Sequence, residues 1–246
     1  MEKYLIMNAD DFGLSPAVSE GIIQAVRFGT ISSVSLMVNM PGFKHAVQLA
    51  RQYSSLSVGL HFNPTYGKPV SPPSTVPSLI DSTAYFSRNT DLWVEDDIET
   101  ELTAQWKKLI RTGIHPSHID SHHHIKRFQE VKQAMVSLAI NKGIPMRRMT
   151  PTMAVPSTSS TDYLISGDYS GQDGLTRLLG HLKTIAYGVT ELVCHPGLVD
   201  EILIKTSSWT YRRENELRVF LDHRVKLALK MHHILLIGYD KLNKIC

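Results

Sequence analysis

Short apolar runs and amphipathic helical patterns alternate along almost the whole sequence, which predicts an α/β fold whose parallel sheet is rolled into a barrel or near-barrel. Two further observations support that class. No Gly-rich phosphate loop of the dinucleotide type interrupts the alternation, and Asp and His residues stand at the ends of several apolar runs, where parallel barrels gather their functional side chains. The chain has 246 residues, 42% of them hydrophobic, enough for one sizeable core, and a single domain over residues 1–246 is expected. An open doubly wound sheet is the alternative architecture.

Strands are expected at Tyr4 to Asn8, Ser33 to Asn39, Ser57 to Phe62, His118 to Ser121, Pro145 to Met149, Glu191 to His195 and Ile234 to Tyr239. Each is short and rich in β-branched or large apolar residues. The helices between them carry their own start and stop signals. Ser15 is an N-cap ahead of Pro16 at the first helical position, Val18, Ile22 and Val26 mark one face, and Gly29 ends the helix. Asp96 to Thr112 presents Ile98, Leu102, Trp106 and Leu109 on one side and stops at Gly113. Glu130 to Asn141, Gly174 to Tyr187 and Glu214 to Met231 follow the same pattern, with Leu175, Leu178, Leu179 and Leu182 the clearest core stripe. The Pro- and Ser-rich stretch from Pro64 to Ser82 and the polar stretch from Pro156 to Thr161 are expected to be long loops walling a cleft.

Composition narrows the function classes. A net charge of +3, with Lys and Arg scattered apart from pairs such as Arg147-Arg148 and Arg212-Arg213, argues against nucleic acid as a partner. Cys194 and Cys246 form no disulfide framework and fit a reducing compartment. The start of the sequence lacks a basic-then-apolar signal pattern, and no apolar stretch approaches the roughly 20 residues of a membrane span. A cytoplasmic protein is expected.

Chemistry is concentrated in a few places. Asp10 and Asp11 follow an apolar run, and both can face one pocket only where the strand ends and the backbone turns, a turn that Gly13 makes easy. An isolated Asp pair more often serves a turn; the other clusters shift the balance towards a site. In Asp120-Ser121-His122-His123-His124, alternation puts Asp120, His122 and His124 on one face and His123 on the other, provided the strand continues that far. Three polar groups facing a core need a metal, a ligand or a hydrogen-bond network to satisfy them. His61 and His195 also end apolar runs, though a lone His there is more often a hydrogen-bonded rim residue. The remaining histidines, His118 included, read as structural or surface residues. Trp209, Tyr211 and the Arg212-Arg213 pair form an aromatic and guanidinium cluster able to stack on and hydrogen-bond a sugar ring; packing of Trp209 in the core is the competing reading.

Taken together, Asn8-Ala9-Asp10-Asp11-Phe12-Gly13-Leu14-Ser15, Gly59-Leu60-His61-Phe62, His118-Ile119-Asp120-Ser121-His122-His123-His124 and Cys194-His195-Pro196-Gly197 resemble the YdjC-like carbohydrate deacetylases, the group that includes chitooligosaccharide deacetylase. The blocks lie in family order and span nearly the whole chain. The resemblance implies a distorted (β/α) barrel of the glycoside hydrolase/deacetylase type and hydrolysis of the N-acetyl group of an amino sugar or short chitin-like oligosaccharide. It implies Asp11, His61 and His122 as ligands of one divalent metal ion, Asp10 as general base and His195 as a pocket residue. It also implies magnesium, whereas an Asp-His-His donor set suits zinc or another transition ion at least as well. A homodimer is a further family expectation. One departure is visible: the family block commonly continues with a further His, where this chain has Ile125-Lys126-Arg127, a change that bears on substrate preference because the ligand positions are intact.

The mechanism that follows has Asp10 taking the proton of the attacking water and His195 or His124 protonating the leaving amine, with His124, Trp209 and Arg213 available to substrate. Rival readings are a metal-dependent amidohydrolase or phosphoesterase built on Asp120, His122 and His124, and a non-catalytic sugar-binding protein. A glycosidase using Asp10 and Asp11 is disfavoured, because adjacent residues cannot span the roughly 5 Å or more required across a glycosidic bond.

Overall fold

In the computed structural model, which describes residues 2–87, 89–123, 129–148 and 159–245, the central strand is β1 (Lys3–Phe12). Leu5, Ile6, Met7, Ala9 and Phe12 are fully buried, so both faces of this strand are covered, as a parallel sheet requires. The other strands are β2 (Ser33–Leu36), β3 (Ser57–Phe62), β4 (Ile119–Ser121), β5 (Tyr163–Ser166), β6 (Gly188–Cys194) and β7 (Ile234–Leu236). Every pairing is parallel, in the order β4-β3-β2-β1-β6-β5. Strand β6 pairs with β1 from Lys3 to Ala9, whereas β7 pairs with Lys3 to Leu5 and β2 with Asn8 to Phe12. A strand has two edges, so β7 and β2 share one edge of β1, and the sheet curls there into the distorted barrel expected of the deacetylase type.

The helices are α1 (Pro16–Phe28), α2 (Phe43–Gln52), α3 (Glu95–Ile110), α4 (Gln129–Lys142), α5 (Gly174–Lys183), α6 (Glu201–Thr206), α7 (Tyr211–Phe220), α8 (His223–Met231) and α9 (Leu242–Ile245). The signals read for α1 operate as expected: the Ser15 side chain accepts the Val18 N–H, and Gly29 closes the helix in the left-handed region at φ 86°.

Several expectations are corrected. The run from Pro145 to Met149 makes no full strand within its described residues: it contributes a single parallel bridge, Met146 to Ile119, and Met149 lies outside the described residues. The exposed Tyr163–Ser166 segment is a strand instead, paired with Thr190 to Val193, where its few apolar residues gave no clear period. The helix expected from Glu214 to Met231 is two, because Asp222 caps a new start by accepting the Arg224 N–H. Helices α2 and α6 were not anticipated; α2 buries Phe43, Ala46, Val47, Leu49 and Ala50 on one side. The stretch from Pro156 to Thr161 lies partly outside the described residues.

The loop from Pro64 to Ser82 is fastened by buried polar groups. Glu101 of α3 accepts the N–H groups of Val70 and Ser71, each at 2.9 Å, while Gln105 donates to Asn63 O at 2.8 Å and accepts its N–H at 3.2 Å. Residues next to Asn63 therefore form a preformed wall. Inside the barrel the His118 ring stacks on Tyr239 with centroids 3.9 Å apart, and burial pushes its pKa down to about 4. This packing needs Gly59, whose Cβ, if present, would lie 2.3 to 2.5 Å from the His118 ring atoms. Gly59→Ala is expected to lower unfolding free energy by about 1–3 kcal/mol, read from the shift of the urea transition; an unshifted midpoint would show that the ring moves freely.

Candidate active site

The site sits at the carboxyl ends of β1, β3, β4 and β6. Asp10 and Asp11 are consecutive and both line one cavity, which alternation along a strand forbids unless the backbone departs from it. The departure occurs at Asp11 itself, at φ 65°, where the β1–β2 register shifts between Ala9 and Phe12. Gly13, at φ 90°, completes the turn, and its own Cβ would meet Met37 O at 3.0 Å.

Two side chains from the ends of β3 and β4 converge on Asp11. Its Oδ1 lies 2.9 Å from His122 Nδ1 and 3.3 Å from His61 Nε2, yet it makes no properly directed hydrogen bond among the described residues. Asp11, His61 and His122 each offer a ligand atom, all within 4.8 Å of one another. A carboxylate oxygen and two imidazole nitrogens meeting with no proton well placed between them match the donor set of a divalent cation. Arg213 Nη2 grips the other oxygen, Asp11 Oδ2, at 2.6 Å. Burial raises the Asp11 carboxyl, but Arg213 and His122 outweigh it and hold the group well below the ordinary carboxylate range.

Behind this set lies an orienting layer. Asp120 Oδ1 accepts from His61 Nδ1 at 2.7 Å, which turns Nε2 towards Asp11, the arrangement by which a carboxylate fixes a metal-binding imidazole. Asp120 Oδ2 accepts from Ser35 Oγ at 2.6 Å and Arg147 Nη2 at 2.7 Å. Arg147 donates through Nη1 and Nη2 to both oxygens of Asp10, at 2.8 and 2.7 Å, and through Nε to Glu191 Oε1 at 2.8 Å. Asn8 Nδ2 also donates to Asp10 Oδ1 at 2.8 Å. Burial disfavours the Arg147 charge, but Asp10, Asp120 and Glu191 together push its pKa far above the usual value.

His195 stands beside Asp10, with Nε2 3.9 Å from Asp10 Oδ2 and its ring edge-on to Trp209 at 5.3 Å. These groups line a cavity of about 860 Å³ whose outer wall includes Tyr66, Asp168 and Trp209.

Of the residues singled out in the sequence, Asp10, Asp11, His61, His122, His195, Trp209 and Arg213 all line this cavity. His124 lies outside the described residues. Arg213 is turned inward to Asp11, and it is Arg212 that lies over the Trp209 ring, 5.2 Å from its centroid. Asp120 lines the same cavity as His122 and is directed to His61 and Arg147. His123 is not on the opposite face. A left-handed backbone at φ 56° brings it to the cavity, where its ring lies tilted against His122 with centroids 3.8 Å apart and meets Thr65 Oγ1 at 2.9 Å. Sequence reasoning missed Arg147, set aside as part of a scattered basic pair, and Glu191. The available signals were a cation directly after an apolar run and an acid inside one, Val189-Thr190-Glu191-Leu192-Val193.

A curled parallel sheet with a carboxylate and imidazole cluster at its carboxyl edge places the protein among hydrolases of deacetylase type. The chain belongs to the YdjC-like protein family, whose sequence model matches residues 4–231. Among its relatives, a carbohydrate deacetylase of Geobacillus stearothermophilus is 36% identical, with 100% of each chain covered. A chitooligosaccharide deacetylase of Yersinia enterocolitica is 34% identical over 94% of this chain and 95% of that one. A solved structure from Enterococcus faecalis V583, provisionally described as a cellobiose-phosphate cleavage protein, superposes with a TM-score of 0.88 at 29% identity, covering 98% and 99% of the two chains. The family 4 carbohydrate esterase of Streptomyces lividans, solved with acetate, shares the fold at a TM-score of 0.54 and 9% identity, with 95% and 91% covered.

Two outcomes follow. Arg147→Met leaves Asp10, Asp120 and Glu191 buried without their shared counter-charge and is expected to cost about 3–5 kcal/mol in urea unfolding; a loss below 1 kcal/mol would contradict the role given to Arg147. In chelator-treated protein, burial lowers the His61 pKa but Asp120 and Asp10 raise it to about 10 from the ordinary 6.5. A raised folded-state value stabilises fully below pH 6.5, and that contribution disappears as pH climbs towards 10. The urea midpoint is expected to fall across that window, and less steeply in His61→Gln; identical slopes would refute it.

Proposed function

We propose that the protein is a metal-dependent carbohydrate N-deacetylase that removes the acetyl group from an N-acetylated amino sugar or short chitooligosaccharide and releases acetate. The observation that carries this reading is the approach of His61 Nε2 and His122 Nδ1 to the single oxygen Asp11 Oδ1, with Asp10 held next to it by Arg147. Full-length relatives named as carbohydrate deacetylases support it.

Asp11, His61 and His122 are the residues that would hold one divalent ion. Such an ion supplies Lewis acidity towards the acetyl carbonyl and makes water a better nucleophile near neutral pH. The donor set suits zinc or another transition ion as well as the magnesium expected from the family. Asp10 accepts the proton of the water that attacks the amide carbonyl carbon, and Arg147 keeps its carboxylate from rotating out of place. His195 gives a proton to the amine nitrogen as the C–N bond breaks, so that acetate and a free amine leave. Trp209, at the cavity wall beside His195, offers the sugar ring an aromatic surface. Arg213 is assigned to Asp11 rather than to the sugar.

One domain over residues 1–246 carries the whole reaction in this reading. A cytoplasmic, reducing compartment goes with it, in keeping with Cys194, a buried free thiol whose pKa burial pushes upward. A homodimer is the assembly proposed with it.

Acetate release from a panel of N-acetylated mono- and oligosaccharides, with and without added divalent ions, tests the reading; cleavage of the glycosidic bond instead would overturn it. Asp10→Asn is expected to lower kcat by roughly 100- to 10,000-fold while retaining bound metal. His122→Ala is expected to lose the metal itself. Metal content of the two purified variants separates these roles, and equal depletion in both would refute the division. Asp120→Asn is expected to weaken metal binding roughly 10- to 100-fold through His61.

A further inference from the structure

Glu216 of α7 is fully buried. Its carboxylate is spent on backbone. Oε1 accepts the Tyr169 N–H at 3.0 Å and Oε2 accepts the His195 N–H at 2.6 Å. Tyr169 follows β5, and His195 follows β6, so one side chain ties together two strand ends on the cavity side of the sheet. Burying a carboxylate is costly unless its lone pairs are used, and here both oxygens are.

The His195 ring has little else to hold it. Among the described residues Nδ1 is buried without a hydrogen-bond partner, and Nε2 lies 3.9 Å from Asp10 Oδ2, beyond a direct hydrogen bond. Among the described residues its ring partner is Trp209, met edge-on at 5.3 Å. The position of the imidazole is therefore set through its main chain. That main chain is fastened by α7 twice, since Arg213 O also accepts the Gly197 N–H at 3.2 Å. The same helix, one turn before Glu216, sends the Arg213 guanidinium to Asp11. Gly21 of α1 closes the other side: a Cβ there would lie 2.5 Å from Leu198 N, so the loop after His195 has no room to retreat.

We propose that Glu216 is a positioning residue for the reaction, holding the His195 imidazole beside Asp10 by gripping the peptide N–H groups of His195 and Tyr169 together. The inference rests on the reading of His195 as the group that protonates the leaving amine. Only a carboxylate serves this purpose. Glutamine has the same shape but turns an NH₂ group towards one of the two N–H donors, leaving donor facing donor in a buried place.

The test is a double-mutant cycle on the metal-loaded enzyme, with acetate release from N-acetylated chitooligosaccharide as the readout. Glu216→Gln is expected to lower kcat roughly 10- to 100-fold with KM little changed, the signature of a misplaced reacting group. In the His195→Ala background the same substitution is expected to add little further loss, because the group it places is already gone. Multiplying penalties, or an unchanged kcat in Glu216→Gln, would overturn the proposal. If His195→Ala itself keeps wild-type kcat, the assignment of His195 falls, and this proposal with it; a large loss in His195→Ala with none in Glu216→Gln overturns the positioning role alone. A second readout needs no turnover. In metal-free protein the His195 ring resonances, assigned by their loss in His195→Ala, are expected to shift and broaden in Glu216→Gln, while those of His45 on α2 stay put; unmoved His195 signals count against the role. Should Glu216→Gln not fold, Glu216→Asp, which keeps both oxygens on a shorter arm, carries the same cycle.

Discussion

Arg147 holds together a concentration of negative charge that would otherwise be unsustainable. Asp10, Asp120 and Glu191 come from three strands and are all almost wholly inaccessible, so each would be driven to protonate or to move apart in a low-dielectric interior. A guanidinium is suited to prevent this: it is planar, permanently charged and able to donate in several directions at once. Its Nε and two Nη groups meet the three carboxylates with distances of 2.7 to 2.8 Å. Its own backbone N–H is given to Ile119 O, which fixes the residue alongside β4. A lysine could supply the charge but not the simultaneous, directed contacts. The His61 orientation depends on Asp120, and Asp120 in turn is held by this cation, so the geometry around Asp11 inherits its precision from a residue that does not touch it.

Around this centre the fold divides its labour by element type. Strand ends supply the side chains, and helices hold the strand ends. From one side α3 reaches down with Glu101 and Gln105 to stiffen the loop that follows His61; from the other α7 reaches in with Arg213 and Glu216. In both places a buried acid accepts backbone N–H groups of a loop. Loops ordered in this way approach the rigidity of regular structure, at the cost of removing the acid from water, and a site built on them changes little in shape when a ligand arrives.

Much of this was legible in the sequence, for reasons that differ by residue. The alternation of runs and stripes was visible because burial on both faces of a parallel strand forces continuous apolar stretches, and Asp10, Asp11, His61, His122 and His195 stood out because polar groups interrupt those stretches at their ends. Strand β5 escaped notice because it is a short, half-exposed strand at the end of the sheet, where packing demands little of its side chains. Arg147 escaped because charge in a sequence carries no sign of its burial: it was noted only as half of a basic pair, and only the fold reveals that three acids far away in the chain require it. His123 was placed on the wrong face because the alternation rule assumes extended backbone, and the chain leaves that conformation at His123.

The sheet's connectivity also bears on how the protein is made. β1 precedes all three of its partners in the chain, and two of them, β6 and β7, are encoded only by residues 188 to 236. For most of synthesis β1, whose Leu5, Ile6 and Met7 are buried in the finished fold, thus has only β2 to lie against, with an unpaired edge on the other side. Pairings so distant in sequence form slowly, because loop closure must precede the contacts that reward it. A nascent chain in that state is a ready template for association with its neighbours. That edge is closed only when Gly188–Cys194 arrives to pair with it.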